Sequence, residues 1–168
     1  MGFELNVVSH TPQTGVADLD TVALRFLTDI GYMGHGLDPV ADPASVRGSV
    51  PYRLFIECLC GRPDKAWTVE ELMAHLATSR PTVYRHVNKL KSLDLLEEVA
   101  APSGEAGARK AYRLRYGNLA KAWNFTEAHV RVALENYRKT VDHLHDLAQR
   151  ANREGARPRA GSPLKEAL

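Results

Sequence analysis

The apolar positions between residues 51 and 93 recur at intervals of three and four, in three blocks separated by polar or glycine-containing breaks. This spacing puts the apolar side chains of each block on one face of a helix, so three amphipathic helices are predicted. The three expected buried stripes are Leu54, Phe55, Cys58 and Leu59; then Leu72, Met73 and Leu76; then Val83, Val87 and Leu90.

Residues of known capping preference mark the boundaries of these helices. Pro51 suits the first turn of the first helix. Thr68, followed three residues later by Glu71, is a capping-box pattern that begins the second. Ser79 can cap the third, which runs to about Leu93. Because only a short turn separates the second and third helices, the pattern predicts a helix-turn-helix.

Beyond residue 96 the period of the pattern shortens to two. Residues 97–100 and 110–116 read as strands, the second alternating apolar with basic positions, and residues 102–107 between them are rich in glycine and proline. A hairpin that follows the recognition helix is a wing. The predicted fold is therefore mainly α with a small β wing, a winged helix-turn-helix over residues 50–116.

An N-terminal extension, residues 1–49, precedes this domain and is expected to contain one amphipathic helix that ends near Gly31. The predicted inward positions of that helix are Leu19, Val22, Phe26, Leu27 and Ile30. Residues 31–50 contain four glycines and two prolines and are expected to be an irregular connection.

A long helix is predicted from about Thr126 to Ala151, within the C-terminal segment 117–152. Its apolar positions are spaced four, three, four, three and four: Val130, Leu134, Tyr137, Val141, Leu144 and Ala148. A stripe this narrow is typical of a helix that pairs with another helix, so this is predicted to be a dimerisation helix. The alternative is that it packs back on its own winged helix. Residues 153–168 are expected to be disordered.

Composition limits the function classes without choosing among them. The chain has 168 residues, 44% of them hydrophobic and 25% charged, as in ordinary globular proteins. No apolar run approaches the ~20 residues that cross a bilayer, and the first residues lack a signal-peptide pattern, so a cytoplasmic protein without membrane contact is expected.

The net charge of +2 is unevenly spread: acidic residues predominate in 1–50 and basic residues in 79–115. Basic charge on a recognition element favours phosphate binding.

The segment from Ser79 to Leu90, SRPTVYRHVNKL, and the Leu93–Glu97 stretch after it resemble the recognition helix of the ArsR-like superfamily of winged helix-turn-helix regulators. The resemblance covers roughly residues 50–116. It departs from the pattern at Asp94, where the family usually has glycine. It implies a transcriptional regulator that binds double-stranded DNA as a homodimer on an inverted-repeat operator.

The helical periodicity also selects the residues expected to contact DNA. The recognition helix, about residues 79–93, would lie in the major groove and the wing, 97–115, on the minor groove. Base and phosphate contacts are predicted for Arg80, Thr82, Tyr84 and Arg85, phosphate contacts for Ser79 and Lys89, and minor-groove contacts for Arg109 and Lys110.

Several alternatives remain open at this stage. Cys58 and Cys60, or His143 and His145, are weak candidates for a metal or thiol sensor, although Cys58 falls on a buried stripe. The winged helix could instead be a protein–protein interaction module. Neither a nucleophile–base pair nor a phosphate loop is present, so no enzyme and no cofactor is expected. The sequence does not identify a small-molecule or metal effector.

Overall fold

In the computed structural model, residues 3–5, 7–8, 10–101 and 109–155 are described. The chain divides into two compact units, Met1–His129 and Val130–Leu168. The helices are α1 (Leu19–Asp29), α2 (Pro43–Gly48), α3 (Val50–Arg53, continued by a π-helical segment Leu54–Cys60), α4 (Val69–Leu76), α5 (Arg80–Ser92) and α6 (Leu119–Gly155); the strands are β1 (Trp67–Thr68), β2 (Leu96–Ala100) and β3 (Lys110–Leu114). This architecture confirms the predicted fold class.

The helix-turn-helix forms the centre of the first unit because its apolar stripes meet in one core. Leu72 of α4 and the three predicted residues of α5, Val83, Val87 and Leu90, have no exposed surface. Burying side chains of this size stabilises a fold by about 1.5–3 kcal/mol each. The stripe predicted for α5 is therefore confirmed, and its opposite face points to solvent.

The helix that precedes α4, formed by α3 and its continuation, is not an α-helix throughout. Its predicted inward residues Leu54, Phe55, Cys58 and Leu59 are buried, but residues 54–60 are wound as a π-helix. The amide of Gly61 closes this segment by donating to the carbonyl of Ile56 at 2.8 Å. A Cβ at position 61 would lie 2.8 Å from the carbonyl oxygen of Glu57, so glycine is required there.

The wing is part of a three-stranded antiparallel sheet in the order β1-β3-β2. β2 and β3 pair as predicted, with Leu96 opposite Leu114, while β1, where Trp67 pairs with Tyr112, was not predicted. β3 ends at Leu114 rather than at 116, because Tyr116 has a φ of 55° and is 63% exposed. The predicted wing connection, 102–107, lies outside the described residues.

The N-terminal extension contributes to the same core, and two predictions about it were wrong. Leu19 is 60% exposed, whereas Asp20 beside it is buried. Residues 31–50 include a short helix, α2, whose first turn is capped by the carboxylate of Asp42 on the amide of Ser45. α1 packs through Phe26, whose ring lies 6.1 Å from that of Phe55 and 5.4 Å from that of Trp123.

The buried charge of Asp20 explains how α1 is oriented. The Tyr52 hydroxyl and the Arg47 guanidinium both donate hydrogen bonds to its carboxylate. A buried carboxylate requires such partners. Asp20 shares the inward face of α1 with Ala23, Leu24 and Leu27, and Leu19 lies outside that face.

The second unit is described for residues 130–155, which are helical throughout as part of α6. α6 begins and ends beyond its predicted limits. The apolar stripe predicted for dimerisation is exposed in the single chain, with Leu134 63%, Tyr137 70% and Leu144 64% exposed. Within the described part of the chain, no helix is both long and apolar enough to cross a membrane.

Candidate nucleic-acid interface

Local chemistry sets both ends of α4, the helix that precedes the recognition helix. The Thr68 hydroxyl accepts from the amide of Glu71 at 3.3 Å, and the Glu71 carboxylate accepts from the amide of Thr68 at 2.8 Å, which confirms the capping box. α4 ends at Ala77, whose φ of 49° and ψ of 50° are left-handed. This left-handed residue turns the chain so that α5 starts three residues later.

Ser79 occupies the N-cap position of α5, but its hydroxyl does not cap the helix. It hydrogen-bonds to the hydroxyl of Thr82 at 3.0 Å, and no first-turn amide donates to it. The side-chain cap predicted from the sequence is therefore wrong, although the helix boundary is right. The hydroxyls of Ser79 and Thr82 lie together at the exposed start of α5.

The outer face of α5 carries the residues predicted to contact DNA. Ser79, Arg80, Tyr84 and Arg85 are exposed, whereas Thr82 and Lys89 are half-buried. Arg85 lies opposite the fully buried Val83, Val87 and Leu90. Thr82, Tyr84 and Lys89 flank it, and Ser79 and Arg80 lie at the start of the helix. Two of these cations, Arg85 and Lys89, form no ion pair with any described carboxylate.

Arg85 and Lys89 line an open groove of about 690 Å³ beside α5, together with Phe3, Glu4, Tyr32 and His86. The rings of Tyr32 and His86 meet edge to face at 5.6 Å. Burial, and then the charge of Arg85, hold the pKa of His86 below its ordinary value. This shift favours the neutral imidazole, so the cations of the groove are Arg85 and Lys89, with the Glu4 carboxylate also in its lining.

The other predicted cation of α5 is already paired within the protein. A nitrogen of the Arg80 guanidinium lies 2.7 Å from Oε1 of Glu70, which is in the first turn of α4. A backbone hydrogen bond at Glu70 itself and the hydrogen bond from Arg80 lower the pKa of the Glu70 carboxyl, and the charge of Arg109 lowers it further.

The wing cations are arranged in a similar way. Lys110, at the start of β3, lies 2.9 Å from Oε1 of Glu98 on β2, and Lys91 of α5 lies 3.0 Å from the other oxygen of the same carboxylate. Hydrogen bonds from Lys110 and Lys91 hold the pKa of Glu98 below its usual range. Arg109 is exposed beside Lys110.

The candidate sensor residues do not come together in a site. Cys58 is fully buried and Cys60 half-buried, and burial raises the pKa of each thiol to about 11. His143 and His145 are exposed on α6. Among the described residues, no cluster of three or more His, Cys, Asp or Glu side chains is arranged to hold a metal ion.

Sequence reasoning missed Glu70 and Glu98, the carboxylates that hold the predicted DNA-facing cations. Glu70 directly precedes the capping residue Glu71, so the sequence offered only a helix-start role for an acidic residue there. Glu98 was read as a strand residue. Their partners are ten or more residues away in the chain, or seven in the case of Lys91, and only the folded chain brings them together.

Comparison with known proteins gives one match. No curated protein and no solved structure matches the chain. Residues 51–99, which span the first helix to the first strand of the wing, match a family described as a helix-turn-helix domain. The match and the geometry of α4 and α5 agree, and together they support a helix-turn-helix DNA-binding domain in this part of the chain.

Proposed function

We propose that the protein is a transcriptional regulator that binds double-stranded DNA sequence-specifically, as a homodimer on an inverted-repeat operator. The observation that carries the proposal is the two-sided character of α5. One face is fully buried through Val83, Val87 and Leu90, and the opposite face presents Arg85 and Lys89 with no carboxylate partner among the described residues. Unpaired cations on an exposed recognition helix are what phosphate and base-edge contacts need.

In this proposal α5 enters the major groove and its N-terminal half reads bases. Arg85 donates to O6 and N7 of a guanine, a bidentate contact worth about 1–3 kcal/mol of discrimination. Arg80, Thr82 and Tyr84 complete the base and phosphate contacts. Phosphates are held by Ser79, by Lys89 and by the first backbone amides of α5. None of these amides donates to the Ser79 side chain.

The wing, residues 97–115, would lie over the minor groove. Arg109 and Lys110 stand where β3 begins, at the end of the strand next to the connection from β2. Lys110 is 68% exposed even while paired with Glu98, so its ammonium can move to a phosphate. These two side chains would contact the sugar–phosphate edges of the groove.

The homodimer part of the proposal is supported by the second unit. Leu134, Tyr137, Val141 and Leu144 are each more than half exposed in the single chain, at spacings of three and four. A continuous apolar stripe of this kind is costly in water and is covered when a second copy pairs with it. A two-fold dimer reads an operator whose half-sites are inverted.

Selection of bound duplexes from a random pool, read out by mobility shift, tests the proposal as a whole. An enriched inverted repeat, bound with a steep dependence on salt, is the expected result. The double variant Arg85→Ala/Lys89→Ala is the control that should recover no enriched motif. A chain that binds no duplex, or binds without salt dependence, would favour a protein–protein interaction module instead.

A further inference from the structure

Two carboxylates, Glu70 in the first turn of α4 and Glu98 on β2, each interact with a cation of α5 and with a cation at or beside the start of β3. Glu70 hydrogen-bonds to Arg80 of α5 at 2.7 Å and also feels the charge of Arg109 beside β3. Glu98 pairs with Lys91 of α5 at 3.0 Å and with Lys110 of β3 at 2.9 Å. In both cases a cation assigned to the DNA interface is neutralised within the free protein.

These pairs are accessible to solvent and therefore exchangeable. Both side chains of the Glu70–Arg80 pair are 51% exposed, and Lys110 is 68% exposed against 31% for Glu98. Exposed ion pairs contribute little to stability and are weakened by salt. A phosphate that approaches Arg80 or Lys110 must compete with a carboxylate that already accepts its hydrogen bond, and that carboxylate also repels the phosphate.

We propose that Glu70 and Glu98 are intramolecular competitors of DNA, which lower the affinity of the interface for duplex of any sequence by occupying Arg80 and Lys110. This inference rests on the proposed function and adds a regulatory role for two acidic residues in it. The change in DNA affinity on removing a carboxylate has the opposite sign from the change that a purely structural role predicts. If the carboxylates only held the helix and the wing in place, their removal would weaken binding.

The test compares Glu70→Gln and Glu98→Gln with the full-length wild-type chain, by fluorescence anisotropy on a labelled random duplex. Each variant should bind roughly two- to five-fold tighter at low salt, because each releases one cation of the proposed interface. The gain should shrink as salt is raised, since it is electrostatic.

Glu97→Gln is the matched control. Glu97 is adjacent on β2 and pairs with Arg113, which has no role in the proposed interface, and the substitution changes the net charge by the same amount. The gain in duplex affinity beyond that of Glu97→Gln measures the effect of releasing the paired cation. A second check uses Arg80→Gln as the background, in which Glu70→Gln should lose most of its effect because the competed cation is gone.

The outcomes separate the inference from the function beneath it. Variants that bind equally to or more weakly than Glu97→Gln, while the wild type binds duplex, overturn the competitor role alone. A wild type that binds no duplex overturns the proposed function and this inference with it. Circular dichroism melting establishes that the variants are folded. Should Glu70→Gln not fold, Glu98→Gln tests the proposal independently, since Glu98 lies on a strand.

Discussion

The hydroxyl of Tyr52, at the start of the helix-turn-helix segment, donates a hydrogen bond to the buried carboxylate of Asp20 in α1, 32 residues earlier in the chain. Arg47 donates to the other oxygen of that carboxylate. Burial, and then the hydrogen bond to Asp20, raise the pKa of Tyr52, so the phenol stays protonated and remains the donor at physiological pH. This contact joins the N-terminal extension to the domain that contains the proposed DNA-binding surface.

The first prediction concerns this contact. Tyr52→Phe should lower the free energy of unfolding by about 1–3 kcal/mol, because one oxygen of a buried carboxylate loses its donor. Urea denaturation measures it. Tyr84→Phe, at a tyrosine that is 38% exposed, is the control and should change stability by less than about 0.5 kcal/mol. Equal effects of the two substitutions would show that the Tyr52–Asp20 bond contributes nothing.

The second prediction separates base reading from phosphate binding on α5. Arg85→Ala should relax preference at one base position of each half-site, whereas Lys89→Ala should weaken binding to every duplex and reduce the salt slope by about 1. Mobility-shift titrations on a selected site and on its single-base variants measure both. Arg138→Ala, an exposed arginine of α6 paired with Asp142, is the charge-matched control. If neither α5 variant differs from it, α5 is not the recognition helix.

The third prediction tests the apolar stripe of α6. Leu144→Glu should convert a dimer to a monomer, because a charge would be buried in the seam. Sedimentation equilibrium measures the change. Val132→Glu is a matched control: Val132 is 53% exposed on the same helix but lies outside the three-and-four spacing, so it should leave the dimer intact. A wild-type chain that sediments as a monomer would refute the dimer directly.

The fourth prediction uses the left-handed residue that ends α4. Ala77 has a φ of 49°, a conformation in which a Cβ costs roughly 1–2 kcal/mol and glycine costs little. Ala77→Gly should therefore raise the melting temperature. Ala74→Gly, at an exposed position inside the same helix, should lower it because glycine destabilises helix interiors by roughly 0.5–1 kcal/mol. Two shifts of the same sign would contradict the backbone argument.

The fifth prediction concerns the thiols of Cys58 and Cys60, whose pKa values burial raises to about 11 from an ordinary value of 9.0. Both should react slowly with iodoacetamide at pH 7.5 in the native state and rapidly once the chain is unfolded. The unfolded chain loses these protons first. The contribution of the two thiols to the free energy of unfolding should therefore be constant below pH 9 and fall between about pH 9 and pH 11. The Cys58→Ala/Cys60→Ala variant should lack this thiol-dependent decrease in the free energy of unfolding.

Much of the helix-turn-helix could be predicted from residue spacing within single helices. The three-and-four spacing placed Val83, Val87 and Leu90 on the buried face of α5 because a helix repeats every 3.6 residues. Thr68 and Glu71 formed their capping box as expected, since both partners lie within one turn. The same reasoning left Arg85 on the outer face, and the structure places it there.

Two local expectations failed. Leu19 fits the apolar stripe of α1, yet it is exposed, and the buried face at that end of the helix carries Asp20, which Tyr52 and Arg47 hold. Residues 54–60 have an ordinary amphipathic pattern, yet they form a π-helix that the pattern does not distinguish from an α-helix. Neither outcome follows from residues within a single turn.

The sequence by itself therefore determined the order of the elements, the buried face of each helix of the helix-turn-helix and the basic character of α5, because these depend on spacing along one chain segment. Only the tertiary structure decided which of those basic side chains are free. Arg85 and Lys89 have no carboxylate partner among the described residues, whereas Arg80 and Lys91 are held by Glu70 and Glu98. An ion pair depends on the distance between two side chains in space, and that distance is set by how helices and strands pack rather than by the spacing of residues within one element.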